Sequence, residues 1–158
     1  MRFFTVYGPW GRPDMAPMLF THAILNKKPI RIFNHGNMSR SFTYIDDVIE
    51  IIMKLLDKPA ECDEYFDTNN PNYSSSWCPY RIFNIGNDSS INLEYFIYSL
   101  EKELGIEAIK EYDLMIPGDV KNTQADNNII KNWIGEFKTT SISEGIKRFI
   151  RWYKEYYE

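Results

Sequence analysis

Near its start the chain reads Arg-Phe-Phe-Thr-Val-Tyr-Gly-Pro, a β-forming apolar run cut off by turn residues at Gly8-Pro9 and again at Gly11-Arg12-Pro13. Phe3, Phe4, Val6 and Tyr7 supply the β-branched and aromatic bulk of a buried strand, so residues 2–7 are expected to form one. A buried strand needs neighbours along both edges, and a single residue precedes this one. Its partners are expected to be strands encoded upstream, outside these residues.

The rest of the pattern alternates strands with helices. Residues 14–26 have helical character and stop at Asn26-Lys27-Lys28-Pro29. Ile30 to Phe33 reads as a short strand, Asn34-His35-Gly36-Asn37 as a hairpin-like turn, and residues 40–44 as the returning strand. Asp46 or Asp47 is placed to cap a helix, with Glu50 at capping-box spacing from Asp47. In that helix Val48, Ile51, Ile52, Leu55 and Leu56 mark a buried face, and Ile49 and Met53 widen it. Residues 59–79, with Asn-Asn-Pro-Asn-Tyr-Ser-Ser-Ser at their centre, are too polar for a regular element, and a loop this long is commonly functional, inserted or mobile. Residues 80–85 form another apolar strand. Leu93, Phe96, Ile97, Leu100 and Leu104 mark a helix closed by Gly105. Residues 106–112 are extended, Pro117-Gly118-Asp119 is a turn, and residues 127–133 form a short helix. Ser141 and Glu144 make a capping box for a last helix, with Ile142, Ile146, Phe149, Ile150 and Tyr153 on its apolar face. The class is α/β, in one domain without internal repeat.

Composition excludes several function classes. The formal charge of −4 offers no electrostatic footprint for nucleic acid or an anionic membrane surface. No apolar run suits a membrane span and no secretory signal is visible, so a cytoplasmic location is expected. Cys62 and Cys78 form no CxxC pair and have only His22 and His35 to assist them, so reduced thiols are expected rather than a zinc site. The final helix carries Phe149, Trp152, Tyr153, Tyr156 and Tyr157, more aromatic surface than one face needs, which suits packing on the core or a homodimer.

Three loops carry polar groups that could converge: residues 5–15, 34–44 and 114–120. Arg12 and Arg40 each have the planar, paired donors that suit phosphate or carboxylate, although an isolated loop arginine is more often only solvated. Asp119 could accept hydrogen bonds from a sugar diol, or merely stabilise its turn. Asp46-Asp47 invites a metal or acid–base reading, which helix capping explains more simply. Spacing alone reaches an anion-binding α/β domain.

The stretches RFFTVYGPWGRPDM, RSFTYIDDV, YRIFNIGN and PGDV occur here in register. Together they resemble the C-terminal half of UDP-glucuronate 4-epimerases, members of the extended short-chain dehydrogenase/reductase family of NAD-dependent nucleotide-sugar enzymes. The resemblance runs over essentially all 158 residues. It implies the UDP-sugar-binding part of a Rossmann-type enzyme, with one or two strands belonging to the nucleotide-binding sheet. Thr5 would face the hexose, and Tyr7, Gly8 and Pro9 would lie beside the nicotinamide. Arg12 would reach the glucuronate carboxylate. The strand ending at Asn34 would present its backbone to uracil, Arg40 would clamp the diphosphate, and Asp119 the ribose hydroxyls. Ile116 stands where many relatives carry an arginine before the Pro-Gly-Asp turn, so that second diphosphate contact is not carried over.

The family's glycine-rich NAD turn and its Tyr-x-x-x-Lys base are both missing. Tyr98 and Lys102 fit the letters, but on a helix far from the family's position, and read as a solvent-facing coincidence. The expectation is therefore a UDP-sugar-binding portion with no catalytic residue, no NAD bound by this chain alone, no metal, and no activity by itself. A stand-alone UDP-sugar module, a partner completing a separate N-terminal half, and a piece of a related dehydratase or decarboxylase are the alternatives. Self-association is expected from the apolar strand edges.

Overall fold

The structure is a computed structural model that describes residues 1–157. In chain order it contains strands β1 (Arg2–Phe3) and β2 (Val6–Tyr7), helix α1 (Ala16–Leu25), and strands β3 (Ile30–Ile32), β4 (Ser39–Arg40) and β5 (Thr43–Tyr44). Helix α2 (Ile45–Leu56), strands β6 (Asn84–Ile85) and β7 (Ile91–Asn92), helix α3 (Leu93–Leu104), strand β8 (Lys110–Tyr112), and helices α4 (Asn128–Ile134) and α5 (Ile142–Tyr157) follow. The pairs β1–β6, β2–β5 and β3–β8 are parallel, and β4–β7 is antiparallel. Parallel pairing requires a long crossover, and each of these crossovers contains a helix, which makes the fold mixed α/β.

Two apolar clusters hold the elements together. The larger joins α1, α3 and α5 to β3 and β5 through residues such as Ile24, Ile32, Phe96, Leu100, Ile146 and Phe149. Phe42 stacks on Phe96 with ring centroids 4.2 Å apart, and Tyr7 meets both rings edge-on. Gly145 on α5 is required there, because a Cβ would run into the Tyr7 hydroxyl. The smaller cluster packs Val48 and Ile51 of α2 on Phe83, Ile85, Ile130 and Phe137.

Several helix signals act as read. The α3 and α5 faces are buried at every predicted position except Leu93, which is half-buried. Gly105 closes α3 in the left-handed conformation, and the Asn92 side chain accepts from the Glu94 N–H at its start. The Ser141 hydroxyl accepts from the Glu144 N–H, while the Glu144 carboxylate turns to Arg148 instead of completing the box.

Other expectations are corrected. Residues 2–7 are not one buried strand: Arg2 and Phe3 are exposed, β1 bonds to residues 83–85, and Thr5 passes the chain to β5 on the other edge. Likewise only Asn84–Ile85 of the stretch 80–85 is strand. The hairpin over residues 30–44 does not form. Asn34 and His35 take left-handed conformations, and β3 pairs with distant β8. Asp47 does not cap α2, whose first turn has no side-chain cap; its carboxylate accepts from the Thr140 N–H and hydroxyl, tying α2 to the approach of α5. Ile49 and Met53 are exposed, as is Leu56.

The loop over residues 59–79 is organised by Asp63. Its carboxylate accepts from the Ser75 hydroxyl at 2.6 Å and from Arg81 at 3.1 Å. Those hydrogen bonds, that from Ser75 foremost, hold the Asp63 carboxyl below its ordinary range. Cys62 and Cys78, at the two flanks of this loop, are free and exposed. Among the described residues no helix is long and apolar enough to cross a membrane.

Candidate functional site

Apolar side chains from α1, β3 and the start of α3 line a cavity of about 580 Å³ into which polar groups project from three separate stretches of chain. Thr5 lies at one side, between β1 and β2. Arg40 arrives on β4, and Asp119 arrives on the Pro117-Gly118-Asp119 turn. That turn forms as its residues dictate, with Gly118 at φ +86° and the Asp119 N–H bonded to the Ile116 carbonyl.

Arg40 and Asp119 meet directly, Nη2 to Oδ1, at 2.9 Å. Arg40 Nη1 also donates to the carbonyls of Ser39 and Lys121, at 2.9 and 3.0 Å. The guanidinium is thus fixed on two sides, and its in-plane N–H groups are the donors that suit an anion. Phe33, Met38 and Phe42 supply apolar walls for a flat ring or a sugar face. Lys28, Arg31 and His22 stand around the same cavity. Arg31 is paired with Asp113 and lies over the Phe33 ring, and the His22 ring approaches the Tyr153 hydroxyl at 3.4 Å. These lining residues come from separate elements, and no local pattern in the sequence marks them as neighbours.

A second concavity, of about 610 Å³, adjoins the first at Thr5 and Met15 and follows the chain from Phe3 to Arg12. Gly8, Pro9 and Arg12 line it. Arg12 is exposed and forms an ion pair with Asp14, holding that carboxyl below its ordinary range. Gly8 is needed where it stands, since at φ +139° a side chain would strike Ile45. Tyr7 also borders this concavity, yet its ring is buried in the large cluster and its hydroxyl has no hydrogen-bond partner. Burial above all, then the nearby Asp47, raises that hydroxyl far above the ordinary tyrosine range. Asn34 lines neither cavity; its side-chain amide donates to the Asn37 carbonyl at 2.8 Å and fastens the left-handed turn. Tyr98 is exposed on α3, and Lys102, also exposed, lies one turn along the same helix.

Toward NAD, the second concavity presents the Gly8-Pro9 main chain and the Arg12 side chain. The chain holds no glycine-rich turn for a pyrophosphate, and the charged lining group, Arg12, is already paired.

This is an α/β unit with an arginine–aspartate pair at an apolar cavity, and comparison with known proteins names the class. The NAD dependent epimerase/dehydratase family matches residues 1–86, and the chain belongs to that family. It is 46% identical over 158 residues to Protein CapI of Staphylococcus aureus, covering all of this chain and 47% of that protein. A probable UDP-glucuronate 4-epimerase of Rhizobium meliloti is 41% identical over 157 residues, with 99% of this chain and 46% of that one covered. Among solved structures, a variant UDP-glucuronic acid 4-epimerase from Bacillus cereus, in complex with UDP-4-deoxy-4-fluoro-glucuronic acid and NAD, superposes with a TM-score of 0.80. Identity there is 32%, over 99% of this chain and 45% of that one. The chain thus spans about half the length of the relatives it matches. The expected fold, that of extended short-chain dehydrogenase/reductase epimerases over under half of their length, is the observed one.

Proposed function

We propose that residues 1–158 form the sugar-nucleotide-binding region of a UDP-hexuronate 4-epimerase, acting in the cytoplasm on UDP-glucuronate or UDP-galacturonate. The observation that carries this reading is the meeting of Thr5, Arg40 and Asp119, far apart in sequence, around one apolar cavity. Arg40 grips the diphosphate and Asp119 takes the ribose hydroxyls. The backbone from β3 through the turn at Asn34 faces the base, with Phe33 as a wall. Thr5 faces the hexose, and Arg12 leaves Asp14 to bind the sugar carboxylate across the junction of the two concavities. Gly8 and Pro9, with the Tyr7 backbone, border the nicotinamide, while the Tyr7 ring stays in the core as a spacer.

Hydride chemistry belongs to NAD held by a Rossmann unit that packs on β1, β2 and α2. The two-residue parallel pairs with open edges, and the exposed Phe3, Ile49, Met53 and Leu56, support that packing. By itself the 158-residue chain binds the sugar nucleotide and turns nothing over.

Titration of the isotope-labelled chain, followed by two-dimensional amide spectra, tests the reading. UDP should shift resonances around Arg40, Phe33 and Asp119, UDP-glucuronate should add shifts around Arg12, and Arg40→Gln should remove both sets. Spectra unmoved by millimolar UDP would overturn it. Recovery of epimerase activity on adding a Rossmann half would establish the packing.

A further inference from the structure

The Arg40–Asp119 pair joins more than two side chains. Segment 114–120 leaves the body of the chain beside β3, where the Asp113 N–H donates to Ile32 and the His35 N–H to Asp113. It rejoins beside β4, where the Ser39 N–H donates to Lys121 and the Thr123 N–H to Ser39. Both feet are therefore pinned by backbone bonds. Between them, the Asp119 N–H bonds within the segment to Ile116, and the Val120 N–H bonds to the Asp119 carboxylate. Among the described residues, the Arg40–Asp119 contact is the one hydrogen bond or ion pair linking residues 114–120 to anything outside them. The segment also exposes Leu114, Met115, Ile116 and Val120, so apolar burial does little to hold it down.

We propose that this pair is a latch on segment 114–120, released when a diphosphate takes the Arg40 guanidinium away from Asp119. A carboxylate and a phosphate compete for the same paired N–H donors, and Arg40 keeps its Ser39 and Lys121 contacts on the other nitrogen during the exchange. Asp119 is then a positioning residue as well as a ligand contact. It aims Arg40 into the cavity, lowers the affinity for a bare anion, and hands the segment over to the ligand. The inference rests on the proposed sugar-nucleotide site.

Amide hydrogen exchange over residues 114–120 of the 158-residue chain tests it, with inorganic pyrophosphate and UDP as probes. Asp119→Asn should speed exchange there severalfold and strengthen pyrophosphate binding about threefold, the size of effect a partly exposed ion pair carries. In the unaltered chain, pyrophosphate should speed exchange in the segment, because it takes Arg40 and leaves Asp119 free. UDP should slow it, because the ribose engages Asp119 again. Asp113→Asn removes an equal charge at the foot of the same segment without touching the latch, and should leave exchange over 114–120 unchanged.

Equal effects of Asp113→Asn and Asp119→Asn, or no effect of Asp119→Asn, would sink the latch. Absence of UDP binding would instead count against the site, while the comparison of the two aspartate variants still reads the latch.

Discussion

Helices α3 and α5 and helix α2 carry apolar residues at the same helical spacing, yet they close differently. Phe96, Ile97, Leu100 and Leu104 on α3 and Ile142, Ile146, Phe149, Ile150 and Tyr153 on α5 are all buried against one another and against β3 and β5. On α2, Val48 and Ile51 are buried, while Ile49, Met53 and Leu56, spaced i, i+4, i+7, face solvent. The paired strands β1 and β6 repeat the contrast, with Ile85 fully buried on β6 and Phe3 49% exposed on β1. One half of the molecule is a finished core, and the other is a core with a face still open.

The largest expected effect breaks the finished side. Phe149→Ala should cost about 3–5 kcal/mol, read from the urea midpoint, because the rings around it cannot collapse into the space. Phe83→Ala, in the smaller cluster beside the open face, should cost below about 3 kcal/mol. Equal losses would mean that the two clusters are equally enclosed.

A sharper test replaces Ile49, Met53 and Leu56 together by lysine. Folding stability should change by no more than about 0.5 kcal/mol per position. Self-association in sedimentation should fall, and any activity recovered with a Rossmann half should be lost. A large loss of stability would place those side chains in a core of this chain alone.

The smallest effect is on acidity. The Asp63 carboxyl is held below its unfolded value, so its contribution is present above about pH 3.9 and is lost as pH falls through the lower folded value. Hydrogen exchange in residues 59–79 should therefore rise on acidification in this window, before exchange in α3 and α5 does. Asp63→Asn should produce the same loosening at neutral pH.

The surplus aromatics of α5 lie between these extremes. Trp10, reached through a left-handed backbone at φ +62°, packs on Trp152 and Tyr156 with centroids 5.4 and 4.8 Å away. That contact ties the loop bearing Arg12 to the end of α5, and it leaves Tyr156 and Tyr157 about half exposed.

Much of the local structure was legible in the residues. Gly105 ends α3 and Gly118 makes its turn because both positions need a backbone that a side chain resists. The buried faces of α3 and α5 follow from helical spacing. Pairing was not legible. The stretch 40–44 alternates like a returning strand, but alternation carries no record of its partner, and β3 is satisfied by residues 110–112 instead. Asp47 has capping-box spacing, yet Thr140, brought alongside by the segment whose Phe137 packs in the α2 cluster, offers its carboxylate two donors.

The candidate site divides in the same way. Arg12 and Arg40 look alike as loop arginines. Arg12 has a partner two residues away in Asp14, while Arg40 meets Asp119 only because β4 and the 114–120 segment are folded side by side. The motif order marked both as candidates, through resemblance rather than spacing. Tyr7 sits in a motif that also suggests a cofactor contact, but its ring fills the core opposite Gly145.

Sequence alone was enough for much of what depends on neighbours within about four residues: the buried faces of α3 and α5, the Gly105 and Ser141 caps and the Gly118 turn. Tertiary structure decided which strands pair, where each carboxylate finds its donors, and which apolar residues stay in water. The physical reason is range. Propensity and periodicity act within a turn or two of chain, whereas burial and ion pairing depend on what is packed alongside, which is why Ile49 and Met53 of α2 and Phe3 of β1 stay exposed despite their apolar pattern.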